Sequence, residues 1–386
     1  MKILFIDKQE KSAGMGTYSE TTIDWLKKRG QQVIPLRYGD KLSHTDPKNT
    51  VLLPFFAGSK STYFIPSNKT IPVAKQVIEK EKPDVIHLSL ALSPLDFYFP
   101  KLAHDHHIPI VGIFHAGFPS TPSGSLRVNP RSSLSTIGVK SVFISYLPCL
   151  RQLDKVIVFS QNVANFLISV KIKKDRVVVI PNSVDTNLYS PGNSHFKKIN
   201  KIQFAYLFLG RLDRQKNPDL LIDAFLSAGE SCLAPTKLIM VGSGTFGTLG
   251  EDLLNKYKSH PNIIFTGSIT DRKQKIDIIR SADVFVQPSS YEGMSFSLLE
   301  AMSCGLAPIT TDAGNHAEVI GNSGILLDHT KIPDQLPISL QIFQKNPRLG
   351  KEMGKKARQI IKQNYNLDQN INKLINVYKS ASSGQA

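Results

Sequence analysis

The sequence predicts an α/β protein with two doubly wound domains, each a parallel sheet covered by helices. Three observations carry that expectation. Short β-rich apolar runs alternate with amphipathic helical patterns along most of the chain, the pattern of parallel strands joined by crossover helices. The alternation stops near "VVVIPNSVDTNLYSPGNSHFKKIN", where Pro, Gly, Ser and Asn mark a linker, and then begins again. At 386 residues and 41% hydrophobic content, the chain can bury two ordinary cores. The expected boundaries are 1–190 for the first domain, 191–200 for the linker, 201–365 for the second domain, and 366–386 for a C-terminal helix that packs back on the first.

Element by element, "KILFID" is the opening strand, and "SETTIDWLKKRG" is the helix after it. Between them lies "KQEKSAGMGTY", where Gly14 and Gly16 allow either close backbone approach to a ligand or a tight turn. "QQVIPL" is the next strand, "VAKQVIEKEKPDVIHLS" a helix delivering a strand, and "IPIVGIFHAG" and "DKVIVFS" further strands. The second series runs through "KIQFAYLFLGRL", "TKLIMVGSG", "NIIFTGSI", "ADVFVQPS", "APITTDAG" and "GILLD". Two helices near "NPRLGKEMGKKARQIIKQNY" and "LDQNINKLINVYK" close the chain. Open parallel sheets bind ligands beyond the carboxyl ends of their strands. Two such sheets facing each other across a cleft make the strand-end loops the candidate site.

Composition excludes several function classes. No apolar run approaches the roughly 18 residues that a membrane span needs. The apolar run in "MKILFIDKQE" is too short for a signal peptide, which points to the cytoplasm or the cytoplasmic face of a membrane. Cys149, Cys232 and Cys304 are odd in number and far apart, so neither a disulfide framework nor a zinc site is expected. The net charge of +16 favours polyanions, phosphorylated ligands or an acidic lipid surface. It leans to the first half, where residues 1–190 hold 24 basic and 14 acidic side chains. From His106 to Leu153 there is no acid, while Arg127, Arg131, Lys140 and Arg151 are present. Peripheral membrane contact through this basic half fits better than nucleic acid, because there is no basic recognition helix and no ribbon of stacking aromatics.

The stretch "SSYEGMSFSLLEAMSCG" carries two acids, Glu292 and Glu300, with seven mostly small and apolar residues between them. It follows the strand "ADVFVQP"; Ser295 is a suitable N-cap and Gly305 a suitable stop for the helix "FSLLEAMSC". Glu292 precedes that helix and Glu300 lies inside it, so the two do not flank one bond as a glycosidase pair does. They suit different parts of one extended ligand, and the helix start suits a phosphate or polarised hydroxyls.

On these residues the chain resembles the retaining glycosyltransferases of family 4, which have two facing Rossmann-like domains, the GT-B fold. "YEGMSFSLLEAMSCG" is similar to that family's E-x7-E element, "VIPNSVDTNLYSP" to its interdomain segment, "GRLDRQKNPDLLIDAF" to its phosphate-binding strand and helix, and "MVGSG" to its next strand end. The resemblance implies a nucleoside diphosphate sugar as donor and a hydroxyl group on a glycan, lipid or small molecule as acceptor, with an acceptor domain first and a donor domain second. It assigns Glu292 to the donor sugar and catalytic centre, Glu300 to the ribose hydroxyls, and the backbone N–H groups of Gly293, Met294, Ser295 and Phe296 to the sugar or distal phosphate. Arg211 and Lys216 become the cations that absorb charge on the leaving diphosphate, where positioned charge lowers a barrier most. Gly14 and Gly16 would close over the donor phosphates and acceptor, Gly242 would belong to the donor site, and His115, ending "IVGIFH", would lie by the sugar hydroxyls. His87 is a weaker candidate of the same kind. "AGFPSTPSGSLRVNPRSS" is expected to be an acceptor loop. With an Arg–Lys clamp and no D-x-D pair, no metal or other cofactor is required.

Ordinary alternatives stand beside these. An Arg and a Lys in a loop are often solvated surface, and a lone histidine is often structural. "VGSGTFG" also has Gly242, Gly244 and Gly247 in G-x-G-x-x-G spacing, the fingerprint of an NAD(P)-dependent oxidoreductase, but the nearest acid after the next strand, Asp271, sits in a loop. A sugar-nucleotide epimerase would share the fold, as would a scaffold that binds no donor. Ser295 and Ser297 stand where many relatives have glycine and proline, and Ser183 stands where relatives commonly show glycine, so donor preference could differ.

Overall fold

In the computed structural model, residues 1–7, 14–39, 42, 49–58, 64–90, 93–115, 144–229, 236–244 and 249–383 are described. The chain forms two compact units. Of the described residues, those within 1–115, 144–181 and 368–383 make the first, and those within 182–367 make the second.

The first unit is built on β1 (Lys2–Asp7), β2 (Gln32–Tyr38), β3 (Val51–Leu53), β4 (Phe55–Gly58), β5 (Phe64–Pro66), β6 (Val85–Ser89), β7 (Ile110–Ile113), β8 (Lys155–Val158) and β9 (Val177–Val179). Seven of them form one sheet in the order β3-β2-β1-β6-β7-β8-β9, with every pairing parallel. β4 and β5 make a separate antiparallel pair. Chain order reverses between β1 and β6, which defines a doubly wound sheet and its switch point. Residues 3–7 of β1 are all buried, so the run is apolar on both faces rather than alternating.

The second unit contains β10 (Phe204–Leu209), β11 (Thr236–Val241), β12 (Ile263–Gly267), β13 (Val284–Gln287), β14 (Ala307–Thr311) and β15 (Ile325–Leu327). The order β12-β11-β10-β13-β14-β15, again all parallel, puts the switch point between β10 and β13. On one face, Tyr206, Phe208, Leu238 and Val286 pack with Leu221 and Phe225 of helix Pro218–Gly229 and with Leu336, Leu340 and Phe343 of helix Ile332–Lys345. Each such side chain contributes on the order of 1.5–3 kcal/mol by leaving water. Tyr206 keeps its hydroxyl satisfied by donating to the Leu340 carbonyl at 2.5 Å.

Several boundaries differ from those expected. The first unit ends at Pro181, not 190, because the following residues are tied to the second unit. Val184 N–H donates to the Tyr365 carbonyl (3.0 Å), and Leu367 N–H donates to the Val184 carbonyl (3.1 Å). The expected linker at 191–200 contains a helix, His195–Ile199, capped by Ser194. Asp277 holds its first turn, accepting from the N–H groups of His195 (2.7 Å) and Phe196 (2.9 Å). The three-residue β9 lies in the stretch where the sequence alternation stops, and helix Ile332–Lys345 is hidden in sequence by Pro333 and Pro337. From Asp368 onward, the last helix, Leu367–Ser383, belongs to the first unit. Arg29 pairs with Asp368 and donates to Asn372 (3.0 Å), and the Tyr378 hydroxyl sits 2.5 Å from His87 Nδ1.

Candidate functional site

The two loops that leave the switch point of the second unit are stitched together. After β10, Asp213 Oδ1 accepts from the N–H groups of Gln215 (3.1 Å) and Lys216 (3.2 Å), folding the "GRLDRQKN" loop back on itself. Gln215 Nε2 donates to the Tyr291 carbonyl (2.9 Å), and its own carbonyl accepts from Ser290 N–H (2.8 Å). Asn217, at φ +50°, donates to the Pro288 carbonyl (2.8 Å) and to Ser290 Oγ (2.9 Å). Short polar side chains at strand ends thereby fix where Arg211 and Lys216 project.

Lys216 Nζ meets Glu292 Oε1 at 2.5 Å, with the two side chains only 12% and 8% exposed. Gln287 Nε2 donates to the same oxygen (2.8 Å), and Ser295 Oγ donates to Gln287 Oε1 (2.9 Å), which sets the direction of the amide. Burial opposes charge on Glu292, but the Lys216 ammonium and its hydrogen bond to the carboxylate outweigh it, and the carboxyl pKa is lowered. Arg211 is more open and bridges Asp213 Oδ2 (2.7 Å) and Gln215 Oε1 (2.8 Å). The expected cations and the first glutamate therefore come together in one network.

Glu300 sits inside helix Phe296–Ser303, buried, and is held by different partners. Lys275 Nζ lies 2.6 Å from its Oε1 and 5.4 Å from the centre of the Tyr189 ring. The Tyr189 hydroxyl hydrogen-bonds the same carboxylate; burial first and Glu300 second push its pKa up. Ser295 caps the helix by accepting from Leu298 N–H (3.3 Å), and Gly305 follows its end at φ +88°. Ahead of the helix, Asn182 holds Met294, its Nδ2 donating to the Met294 carbonyl (3.1 Å) and its N–H to Sδ (3.1 Å). Gly293 and Phe296 complete this turn, and Gly314 presses on it: a Cβ there would fall 2.5 Å from the Glu292 carbonyl oxygen and 2.6 Å from that of Gly293.

Gly242 has a structural reason to be glycine. At φ +137°, its backbone passes so close to the end of β10 that a Cβ would stand 1.9 Å from the Gly210 carbonyl oxygen. Asp271, the one acid near the end of β12, caps helix Arg272–Ser281 through Gln274 N–H (2.7 Å). With that acid engaged as a cap, the dinucleotide fingerprint lacks its ribose ligand; Gly247 lies outside the described residues.

In the first unit, Gly14 is the first residue of helix Gly14–Lys28 and Gly16 lies in its first turn, so both belong to the helix and not to a preceding loop as expected. His115 follows β7. Its ring packs edge-on against Tyr18 (5.2 Å) and Phe159 (5.4 Å), and burial lowers its pKa to about 3. Its Nε2 has no partner among the described residues. His87, fully buried, stacks on Phe5 at 3.9 Å with Nδ1 bound to Tyr378. The expected acceptor loop at 116–133, with Arg127 and Arg131, lies outside the described residues, as do Lys140 and Cys232. Cys149 and Cys304 are buried thiols whose pKa burial raises to about 12.

Sequence reasoning missed Gln287, Lys275, Tyr189, Asn182 and His316. One signal was available: Gln287 is a lone amide at the end of the apolar run "ADVFVQP". Lys275 and Tyr189 gave none, because they reach Glu300 from 25 and 111 positions away only once the sheet is assembled. Among the described residues, no group of His, Cys, Asp and Glu is placed to hold a metal ion, and no helix is long and apolar enough to cross a membrane.

Comparison with known proteins follows the same division. Residues 193–360 match the family described as "Glycosyl transferases group 1", and residues 12–188 match "Glycosyltransferase Family 4". An uncharacterized glycosyltransferase of Methanocaldococcus jannaschii is 28% identical over 239 residues, 59% of this chain and 59% of that protein. The chain thus spans about three fifths of that relative's length. A UDP-Gal:alpha-D-GlcNAc-diphosphoundecaprenol alpha-1,3-galactosyltransferase of Escherichia coli is 26% identical over 316 residues, 78% of this chain and 77% of the other. Among solved structures, the Anabaena protein HepE in complex with UDP and glucose superposes with a TM-score of 0.74 at 19% identity, covering 98% of this chain and 100% of that one. This likeness shows the fold, two Rossmann-like domains of the GT-B class.

Proposed function

The chain belongs to the group 1 glycosyltransferases of family 4, and we propose that it transfers a sugar from a nucleoside diphosphate sugar to a hydroxyl acceptor with retention of anomeric configuration. The observation that carries this reading is the buried contact of Lys216 with Glu292 at the switch point of the second unit. A carboxylate and a cation held together where an open sheet binds ligands suit a ligand that combines hydroxyls with a diphosphate. The E. coli relative is named for a UDP-sugar donor, and the Anabaena structure contains UDP, which supports a uridine diphosphate sugar as the first donor to test.

In the proposed reaction Glu300 accepts the ribose hydroxyls, and Glu292 orients the sugar and faces its reacting centre. Arg211 and Lys216 stabilise the negative charge that grows on the leaving diphosphate as the bond from its oxygen to the anomeric carbon breaks. The departing phosphate oxygen takes the acceptor proton while the acceptor oxygen bonds the same face of the anomeric carbon, so the configuration is kept. The chemistry needs no bound metal when two side-chain cations carry the charge. The acceptor end belongs to the first unit, where His115 and the start of helix Gly14–Lys28 lie beyond strand ends. The basic excess of residues 1–190 supports work at an anionic membrane face, in line with the lipid-linked acceptor named for the E. coli relative.

The test is slow donor hydrolysis followed by NMR, with UDP-glucose, UDP-galactose, UDP-N-acetylglucosamine and GDP-mannose offered singly. The proposal expects one α-linked donor to release its sugar first as the α-anomer. Release first as the β-anomer would overturn retention, and absence of hydrolysis and of thermal stabilisation with every donor would overturn the donor reading.

A further inference from the structure

Two side chains beside Glu292 carry polar atoms that the site described so far does not use. Asn315 is 6% and His316 0% exposed, and both follow β14. Neither amide atom of Asn315 nor Nε2 of His316 has a partner among the described residues. Around them Lys216, Gln287, Ser295 and Thr311 are all hydrogen-bonded. Three unpaired polar atoms on two consecutive buried residues are an exception to how protein interiors are filled, and such groups call for a partner. Their position ties them to the donor site, because the preceding residue, Gly314, lies against the carbonyls of Glu292 and Gly293.

Thr310 Oγ1 lies 2.9 Å from the Gln287 carbonyl, which can only accept, and 2.7 Å from His316 Nδ1. In the arrangement that gives the carbonyl the hydroxyl hydrogen, lone pairs face Nδ1, so Nδ1 carries the imidazole proton and Nε2 is a bare acceptor. Burial lowers the ring's pKa to about 4, so it is neutral at physiological pH. A neutral acceptor repels phosphate oxygens and takes an O–H or N–H donor instead. The Asn315 carboxamide can both give and accept, as a hydroxyl requires.

We propose that Asn315 and His316 form a specificity-determining subsite for the donor sugar, with His316 Nε2 accepting from one free hydroxyl and the Asn315 carboxamide engaging a neighbouring one. The subsite rests on the donor reading given above. It selects sugars by a hydroxyl that must be present as a hydrogen-bond donor, so a donor lacking that group leaves Nε2 unpaired again.

The experiment is calorimetric binding to wild type, Asn315→Ala and His316→Leu. The ligands are UDP, UDP-glucose and UDP-glucose lacking the 2-, 3-, 4- or 6-hydroxyl; GDP and GDP-mannose with its deoxy forms replace them if they bind wild type more tightly. Both variants are expected to bind the free diphosphate as wild type does and to bind the full donor at least about tenfold more weakly. One deoxy donor loses a similar factor on wild type and nothing further on His316→Leu. Unchanged affinity of both variants for the full donor, or deoxy donors that affect wild type and His316→Leu alike, overturns the subsite. If His316→Leu also loses the free diphosphate, Asn315→Ala decides, since its amide holds nothing else among the described residues; full donor affinity there overturns the proposal. Wild type that binds none of these ligands overturns the donor reading itself.

Discussion

Lys216 Nζ and Glu292 Oε1 stand 2.5 Å apart at the exits of β10 and β13, although their positions are 76 residues apart in the chain. Two charges that leave water must each keep a partner, and removing one strands the other. Lys216→Met is therefore expected to destabilise the second unit by about 3–5 kcal/mol. The double variant Lys216→Met/Glu292→Gln should recover much of that loss. Urea unfolding of the two singles and the double measures the coupling, and simple additivity would contradict the contact.

Gln287 and Ser295 act on Glu292 in series. Ser295 gives its hydrogen to Gln287 Oε1, so Gln287 must present its N–H to the carboxylate. Ser295→Ala lets the amide turn over, and Gln287→Leu removes it. Each is expected to slow donor hydrolysis by about tenfold, the size of one hydrogen bond to a charged group. The pair together should cost little more than one alone, and a full product of the two losses would argue against the series.

Gly242 and Gly30 both have positive φ, +137° and +73°, but their surroundings differ. A Cβ at Gly30 meets nothing within 4 Å, whereas at Gly242 it meets the Gly210 carbonyl oxygen at 1.9 Å. Gly30→Ala should cost about 1 kcal/mol from backbone conformation alone. Gly242→Ala must move a strand end and should cost several-fold more, read as the drop in thermal midpoint. Equal effects would mean that the close approach is not maintained in solution.

His87, His115 and His316 are buried as neutral rings, with pKa values lowered well below 6.5 for His87, to about 3 for His115 and to about 4 for His316, mainly by desolvation. The unfolded chain binds these protons and the native chain does not, so stability is full above about pH 6.5 and falls as pH drops below it. Unfolding should take up about 1.5 protons at pH 6.5 and nearly three at pH 5, seen as a falling urea midpoint. Replacing His316 with Gln should remove about one of them. Glu292 enters only at lower pH, because its unfolded pKa is near 4.3.

Much of the fold could be read from the sequence because parallel strands in a doubly wound sheet are buried on both faces. "KILFID" and "TKLIMV" are therefore continuous apolar runs. Edge elements were not legible: β9 has three residues, and helix Ile332–Lys345 hides behind two prolines. The site divides in the same way. Glu292, Glu300, Arg211 and Lys216 carry local spacing and could be named in advance. Their partners Gln287, Lys275, Tyr189 and His316 reach them only through tertiary packing. Ser295 shows the limit of pattern reasoning: it looked like a side chain set where backbone meets the sugar, whereas its hydroxyl is turned to Gln287 and the helix cap.

The central claim is that the second unit grips a nucleoside diphosphate through side chains fixed at its strand ends and in the helix after β13. Calorimetric titration of UDP and GDP into wild type and Glu300→Ala tests it most directly. The account predicts saturable binding of one of them to wild type and at least about a tenfold loss in the variant, the magnitude expected when a hydrogen-bonded carboxylate is removed. Equal affinity in the two proteins would contradict it.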